Sequence, residues 1–151
     1  MNNIVTRDGI LLVFIDLRTK QEQNIVSPIQ IMKGMFLVKE KLKLEDFYIF
    51  EPYLYGPCSF QIYSDLLALQ LKNFIKTIPG PSSWKYYTTT PLGSAKAKII
   101  IEVLGMEKVK VLREIKELII NKSFLELLEY IYSKYPEYAR NSIVNIEGFK
   151  K

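Results

Sequence analysis

The amino-acid sequence predicts a mainly α-helical fold with one small β-hairpin. An amphipathic segment at residues 59–73 is followed by two short β-prone runs, residues 74–78 and 84–90. Pro79, Gly80 and Pro81 separate these runs and indicate a turn. A helix followed at once by a hairpin, with a further helix opening at Thr90-Pro91, is the order of a winged helix-turn-helix. The sequence therefore predicts a winged helix-turn-helix with additional C-terminal helices.

Length and composition predict a single domain over residues 1–151. The chain is 48% hydrophobic, which is sufficient for one sizeable core. We expect a winged-helix core at about residues 8–104 and C-terminal helices at about residues 106–135. No internal repeat, low-complexity segment or linker divides the sequence.

Cysteine, histidine and hydropathy limit the classes of protein that the sequence fits. Cys58 is the only cysteine, so an intrachain disulfide is excluded and a reducing cytoplasm is indicated. The apolar run at residues 10–15 is too short to span a bilayer, and no signal peptide precedes it, so we expect a cytoplasmic protein that does not insert in membranes. Without histidine, His-dependent nucleophile pairs and the usual zinc sites are excluded. We predict no catalytic residue, no metal site and no cofactor.

Helical periodicity predicts two helices in the first third of the chain. The first covers about residues 8–18. The second begins at Ser27-Pro28, an N-cap residue followed by proline at the first helical position. Its apolar side is predicted to carry Ile29, Met32, Phe36 and Leu37, with Lys33 lying largely elsewhere. Gly34 either permits the close approach of a neighbouring helix or is simply tolerated.

The segment before the central helix is predicted to be extended. Residues 47–50 have high β-propensity, which favours a short first strand against the hairpin. Residues 51–57 contain two prolines and a glycine, which indicate an irregular turn. Ser59 is the expected N-cap of the central helix. The buried stripe of that helix is predicted to be Ile62, Leu66 and Leu69.

The second half of the chain is predicted as a hairpin and three helices. Residues 74–78 and 86–90 form the arms, and the tip between them is the wing. A helix runs from Thr90-Pro91 to about Leu104, where Gly105 ends it. Two more helices follow at residues 106–121 and 123–134. Ser123 and Glu126 form a capping box at the start of the last one.

Several segments resemble a known family of small prokaryotic winged-helix proteins. They are PIQIMKGMFL at residues 28–37, YLYGPCS at residues 53–59, IYSDL at residues 62–66 and YTTTPLG at residues 87–93. Their order is similar to that in the YwgA-like family and, more distantly, in the Panacea domain of phage-associated and antitoxin proteins. The similarity covers about residues 8–142. It implies a helical fold with a small β-wing.

The distribution of charge suggests a DNA-binding surface. Between residues 66 and 101 there are five lysines and no acidic residue, and unopposed lysines suit a phosphate backbone. Solubilisation of exposed strand edges is the alternative explanation. The central helix offers no basic residue and contains Asp65, which is unusual for a helix that reads base edges. The residues predicted to contact duplex DNA are Ser59, Gln61, Ser64, Lys72, Lys76, Lys85, Lys96 and Lys98.

A protein-interaction module similar to an antitoxin is the alternative function. Its partner surface would be formed by the aromatic residues Tyr53, Tyr55, Tyr63, Trp84 and Tyr86. These rings could equally pack in the core and across strands. The apolar faces of the last two helices either complete the core of the monomer or form a homodimer interface.

Overall fold

The computed structural model describes residues 5–80 and 85–144 of the chain. Within these residues the protein is mainly helical, with two small antiparallel hairpins, as the sequence predicts for its general class. The α-helices are α1 (Arg7–Asp16), α2 (Pro28–Leu42), α3 (Gln61–Leu71), α4 (Pro91–Leu104), α5 (Met106–Ile120) and α6 (Phe124–Lys134). The strands are β1 (Glu51–Tyr53), β2 (Gly56–Cys58), β3 (Ile75–Pro79) and β4 (Lys85–Thr89), and a 3-10 turn covers Pro136–Ala139. No helix in the described ranges has the length and hydropathy to cross a bilayer.

Helix α1 is the centre of the core. Every residue from Gly9 to Ile15 is buried, because α1 is apolar on all sides and packs against α3, α4, α5 and β4. Its bounds lie within two residues of the prediction.

Helix α2 begins as predicted and is held close to α1. The Ser27 hydroxyl accepts a hydrogen bond from the Gln30 backbone N–H, and the Gln30 side chain accepts one from the Ser27 N–H. At Gly34 an added Cβ would lie 2.4 Å from the Phe14 ring. Gly34 therefore permits close approach, which decides between the two explanations that the sequence leaves open.

The first strand lies elsewhere than predicted. Residues 47–50 form no strand, and the buried side chains of Phe47, Tyr48 and Phe50 are part of the core. Strands β1 and β2 form instead in the segment predicted as an irregular turn. Pro52 and Pro57 are directly opposite each other in this hairpin. An antiparallel ladder alternates hydrogen-bonded with non-hydrogen-bonded pairs, so two prolines that share one pair need not interrupt it.

The central helix starts later than predicted. Helix α3 begins at Gln61 after Phe60, without a side-chain cap, so the prediction of Ser59 as the N-cap is wrong. The Ser59 backbone N–H donates to Met32 Sδ at 3.3 Å, which ties this corner to α2. The predicted buried stripe of α3 is confirmed: it consists of Ile62, Leu66 and Leu69.

Strands β3 and β4 form the predicted hairpin, with a pairing register that runs from Ile75 opposite Thr89 to Pro79 opposite Lys85. Its outer edge pairs with Val26, in the connection between α1 and α2. Val26 N–H donates to the Tyr87 carbonyl at 3.0 Å, and Tyr87 N–H donates to the Val26 carbonyl at 2.7 Å. Val26 thus pairs with the free edge of β4, where a strand at residues 47–50 was predicted.

The C-terminal helices follow the predicted bounds closely. The Thr90 hydroxyl accepts from the Gly93 N–H at the start of α4, and the Ser123–Glu126 capping box is present at the start of α6. On the apolar face of α5, Val109, Leu112, Ile115 and Ile119 are buried in this chain's own core, and Leu118 is half-buried. Most of the surface considered for a homodimer is therefore already covered, and Leu125 on α6 is the exception that stays exposed.

A buried lysine connects α5 to the end of α1. Lys116 is fully buried, and its Nζ donates to the carbonyl oxygens of Ile15 and Leu17 at 2.8 and 2.5 Å and to Asn24 Oδ1 at 2.8 Å. Lys116 thus bonds the Leu17 carbonyl and shares the Ile15 carbonyl with Asn24 Nδ2 at the negative end of the α1 dipole. Burial lowers the pKa of Lys116 to about 7.

Candidate functional site: an aromatic cleft beside α3

A cleft of about 500 Å³ opens between α2, the β1–β2 hairpin, the start of α3 and strand β4. Most of its lining is apolar or aromatic, and it includes two lysines but no carboxylate. The lining residues are Pro28, Ile29, Met32, Lys33, Tyr53, Tyr55, Gly56, Cys58, Phe60, Tyr63, Lys85 and Tyr87.

Three rings form one continuous wall of the cleft. The Tyr53 and Phe60 ring centroids are 5.4 Å apart with an interplanar angle of 84°, an edge-to-face contact. Phe60 and Tyr63 follow at 6.3 Å. All three side chains are exposed on their cleft side. This wall is an apolar surface that is held in a fixed geometry.

Lys33 lies at the base of the cleft. Its side chain is only 2% exposed, and its Nζ donates to the Pro57 carbonyl at 2.9 Å. Burial lowers the pKa of Lys33 to about 8, and only the negative charge of a Cys58 thiolate would oppose that shift. Burial also raises the pKa of Cys58, which therefore stays a neutral thiol near pH 7. The cleft thus contains a poorly solvated cation without a nearby anion among the residues that line it.

The outer face of α3 continues the apolar surface away from the cleft. Tyr63, Leu67 and Leu71 follow one another at four-residue intervals and are 47%, 57% and 78% exposed. Side chains four residues apart lie on the same side of a helix, so these three form a stripe. Contiguous exposed apolar side chains of this kind are typical of interaction surfaces.

The polar residues predicted to read DNA from α3 are only partly accessible. Ser59 is 3% exposed, and its hydroxyl is 3.4 Å from Gln61 Oε1. Gln61 Oε1 also accepts from the Ile49 backbone N–H at 3.0 Å. Ser64 is exposed. The outer face of α3 thus presents far more apolar than polar surface.

The five predicted lysines are all exposed but do not share one face. Lys76 pairs with Thr88 in the hairpin register, and Lys85 pairs with Pro79. Because side chains alternate along a strand, these pairs lie on opposite faces of the hairpin. Lys72 follows the end of α3, and Lys96 and Lys98 are on α4. In residues 5–80 and 85–144 the one ion pair joins Arg7 to Asp65 at 3.0 Å, so none of these lysines is neutralised by an adjacent carboxylate.

The structure brings three of the predicted partner-binding tyrosines together. Tyr53, Tyr55 and Tyr63 all line the cleft. Tyr86 lies on the hairpin face opposite to Tyr87 and borders a different surface depression, near Gln30. Trp84 lies outside the described residues.

Sequence reasoning missed Lys33, Phe60 and Tyr87 as cleft residues. The prediction that Lys33 lies away from the apolar side of α2 is wrong, because all residues from 31 to 38 are buried. One signal was available in the sequence: Lys33 is the single charged residue in that eight-residue segment. A lone charge inside an apolar run marks a position where burial of a lysine is to be expected.

No protein-family model matches the chain, and no curated protein matches it.

Proposed function

We propose that the chain is a protein-interaction module on a winged-helix framework. Its partner binds the outer face of α3 and the adjoining aromatic rim of the cleft. The observation that carries this proposal is the exposed stripe of Tyr63, Leu67 and Leu71, on a helix that contains no basic residue for contact with a nucleic acid.

The order of the elements supports the winged-helix framework. Helix α1, the Val26 bridge, helices α2 and α3 and the β3–β4 hairpin follow one another along the chain, with Val26 pairing to β4. A strand between the first two helices that pairs with the wing is typical of this fold. The Panacea-like resemblance is compatible with the same proposal, because it implies a helical fold with a small β-wing.

The charges around the stripe indicate the chemistry of the partner. Lys72 directly follows Leu71, and residues 66–101 contain no acidic residue. Lys85 is at the edge of the cleft. Opposite charges around an apolar centre favour association and fix its orientation. The partner is therefore a protein whose apolar contact surface is bordered by Asp and Glu side chains.

Photo-crosslinking tests this function directly. We expect p-benzoylphenylalanine in place of Leu67 to crosslink a second protein in the cells that produce the chain, whereas the same group in place of the exposed Lys110 on α5 does not. The crosslinked protein is identified by mass spectrometry, purified, and titrated against the wild-type chain by calorimetry. Equal crosslinking from both positions would argue against a partner surface on α3.

Charge substitution on α3 tests the same function by measuring the affinity for the partner. Leu67→Glu combined with Leu71→Glu should weaken binding of the purified partner at least about tenfold, or about 1.4 kcal/mol, because both side chains lose their apolar contact and repel an acidic border. Lys110→Glu is the matched control and should leave the affinity unchanged. Unchanged affinity in the double variant would refute the proposal.

Binding of duplex DNA is the second candidate function. It is favoured by the five exposed lysines, none of which has an ion pair within the described residues. In this function the β3–β4 hairpin enters a groove of the duplex. Lys76 and Lys85, on opposite faces of the hairpin, then contact phosphates on either side of the groove. Fluorescence anisotropy at two salt concentrations should show affinity that falls steeply with salt, with separate losses for Lys76→Ala and Lys85→Ala across unrelated duplexes. Affinity that is indifferent to salt and to both substitutions would exclude this function.

A further inference from the structure

We infer that the aromatic cleft is a binding site for a small carboxylate ligand that carries an apolar or aromatic group, with the carboxylate on Lys33 and the apolar group against the Tyr53–Phe60–Tyr63 wall. This goes beyond the proposed partner binding, since the site lies inside the cleft and needs no second protein.

The size and lining of the cleft suit such a ligand. Its volume of about 500 Å³ lies within the range of small-molecule sites, roughly 300–1,000 Å³. Such sites are mostly apolar and contain a few polar groups that orient the ligand. Here Tyr53, Phe60 and Tyr63 provide the apolar wall, and Lys33 is the charged group at the base.

The charge of Lys33 indicates that the polar end of the ligand is an anion. An ammonium group has three N–H donors, and within the described residues the one acceptor bonded to Lys33 Nζ is the Pro57 carbonyl. A buried cation without a counter-charge is costly, and none of the residues that line the cleft is acidic. A carboxylate has two acceptor oxygens and a full negative charge, so it would satisfy the remaining donors and offset the charge.

The tyrosine hydroxyl groups provide a second, neutral set of contacts. Burial raises the pKa values of Tyr63 and Tyr87, so both phenols keep their protons near neutral pH. They can therefore donate hydrogen bonds without repelling an anion. Lys85 at the rim adds positive potential at the entrance. Every charged group that lines the cleft thus favours an anionic ligand.

The test compares an acid with its neutral amide. The wild-type chain, labelled with 15N, is titrated with 3-phenylpropionate and with 3-phenylpropionamide, and the amide signals around the cleft are followed by NMR. We expect the acid to shift signals of residues 53–63 and to bind at least about tenfold more tightly than the amide, because only the acid pairs with the ammonium group. This comparison needs no variant, so it is independent of any effect of mutation on folding.

Substitution then assigns the contact to Lys33. Lys33→Met should reduce the affinity for the acid to that for the amide. Lys41→Met removes an exposed lysine from the same helix and should leave the selectivity intact. Signal dispersion in the 15N spectrum shows whether each variant is folded.

Three outcomes would overturn the inference. The first is equal affinity for 3-phenylpropionate and its amide, and the second is that the NMR signals of residues 53–63 stay unchanged up to 10 mM of the acid. The third is tighter binding of a glutamate-containing peptide with capped termini than of 3-phenylpropionate. The last result would assign the cleft to a protein segment. The α3 variant with both leucines replaced by glutamate separates the two proposals: it should keep the binding of the acid even where partner binding is lost.

Discussion

Two buried lysines, Lys116 and Lys33, differ in the number of protein acceptors that bond their amino groups. Lys116 donates to three oxygen atoms at the end of α1 and so uses all its N–H groups within the protein. Lys33 has one protein acceptor among the described residues, the Pro57 carbonyl, and this almost fully buried residue lines the cleft. The first arrangement is typical of a structural contact. The second leaves donors for a ligand.

The environment of Lys33 predicts a specific dependence of stability on pH. Burial lowers its pKa in the native state from 10.5 to about 8. Between these values the unfolded state binds more protons than the native state, so the free energy of unfolding rises with pH, by at most about 1.4 kcal/mol per pH unit. The stability of the wild type relative to Lys33→Met should therefore increase between pH 8 and pH 9.5.

Urea denaturation of both proteins at several pH values measures this difference. Both proteins carry Cys58→Ser, because the charges of Cys58 and Lys33 affect each other. The tyrosines titrate in both proteins, so subtracting the two profiles isolates the contribution of Lys33. Parallel profiles would mean that the native lysine retains an ordinary pKa.

At the scale of the elements, the start of α4 is joined to the turn that follows α3. The Thr90 hydroxyl accepts from the Gly93 N–H at 3.0 Å and donates to the Asn73 carbonyl at 2.5 Å. An alanine at Gly93 would place its Cβ 1.8 Å from the Phe74 carbonyl oxygen. The turn after α3 and the first turn of α4 are therefore in direct contact, and one threonine connects them.

Loss of this cap should destabilise the whole domain measurably. We expect Thr90→Ala to lower the free energy of unfolding by about 1–2 kcal/mol, because a helix N–H and a turn carbonyl both lose their partner. Thr6→Ala is the matched control: Thr6 is the N-cap residue of α1, but its hydroxyl makes no capping bond and donates only to the Asp8 carboxylate at the exposed surface, so a change below about 0.5 kcal/mol is expected. Chemical denaturation monitored by circular dichroism compares the two, and equal effects would contradict the role assigned to Thr90.

Elements with local signals were predicted well from sequence. Ser27-Pro28, Thr90-Pro91 and the Ser123–Glu126 box each fix a helix start through groups within three residues of one another. The misplaced strand had no such signal. Residues 47–50 have high β-propensity, but this propensity reflects how well a side chain fits a partly buried surface. Here most of these side chains are buried in the core, and the segment has no partner strand. On the edge of β4 away from β3, the pairing residue is Val26, through a single bridge.

At the scale of the whole molecule, the candidate site depends on contacts that sequence spacing does not reveal. The cleft combines residues from position 28 to position 87, and the contact of Lys33 with Pro57 spans 24 residues. Tyr53, Tyr55 and Tyr63 were predicted to act together, and they do share the cleft. Lys76 and Lys85 were predicted to act together as well, but the hairpin register separates them onto opposite faces. Composition indicated which kinds of side chain are available for binding, and only the fold determines which of them meet.

The contact of Lys116 with Ile15 joins residues 101 positions apart. During synthesis on the ribosome, α1 leaves the exit tunnel long before α5 does. The Asn24 side chain can bond the Ile15 and Asp16 carbonyls early, whereas the bonds from Lys116 to Ile15 and Leu17 form only when most of the chain has been made. The earliest helix is thus completed by one of the latest, and a nascent chain interrupted before residue 116 lacks the side chain that completes the end of its central helix.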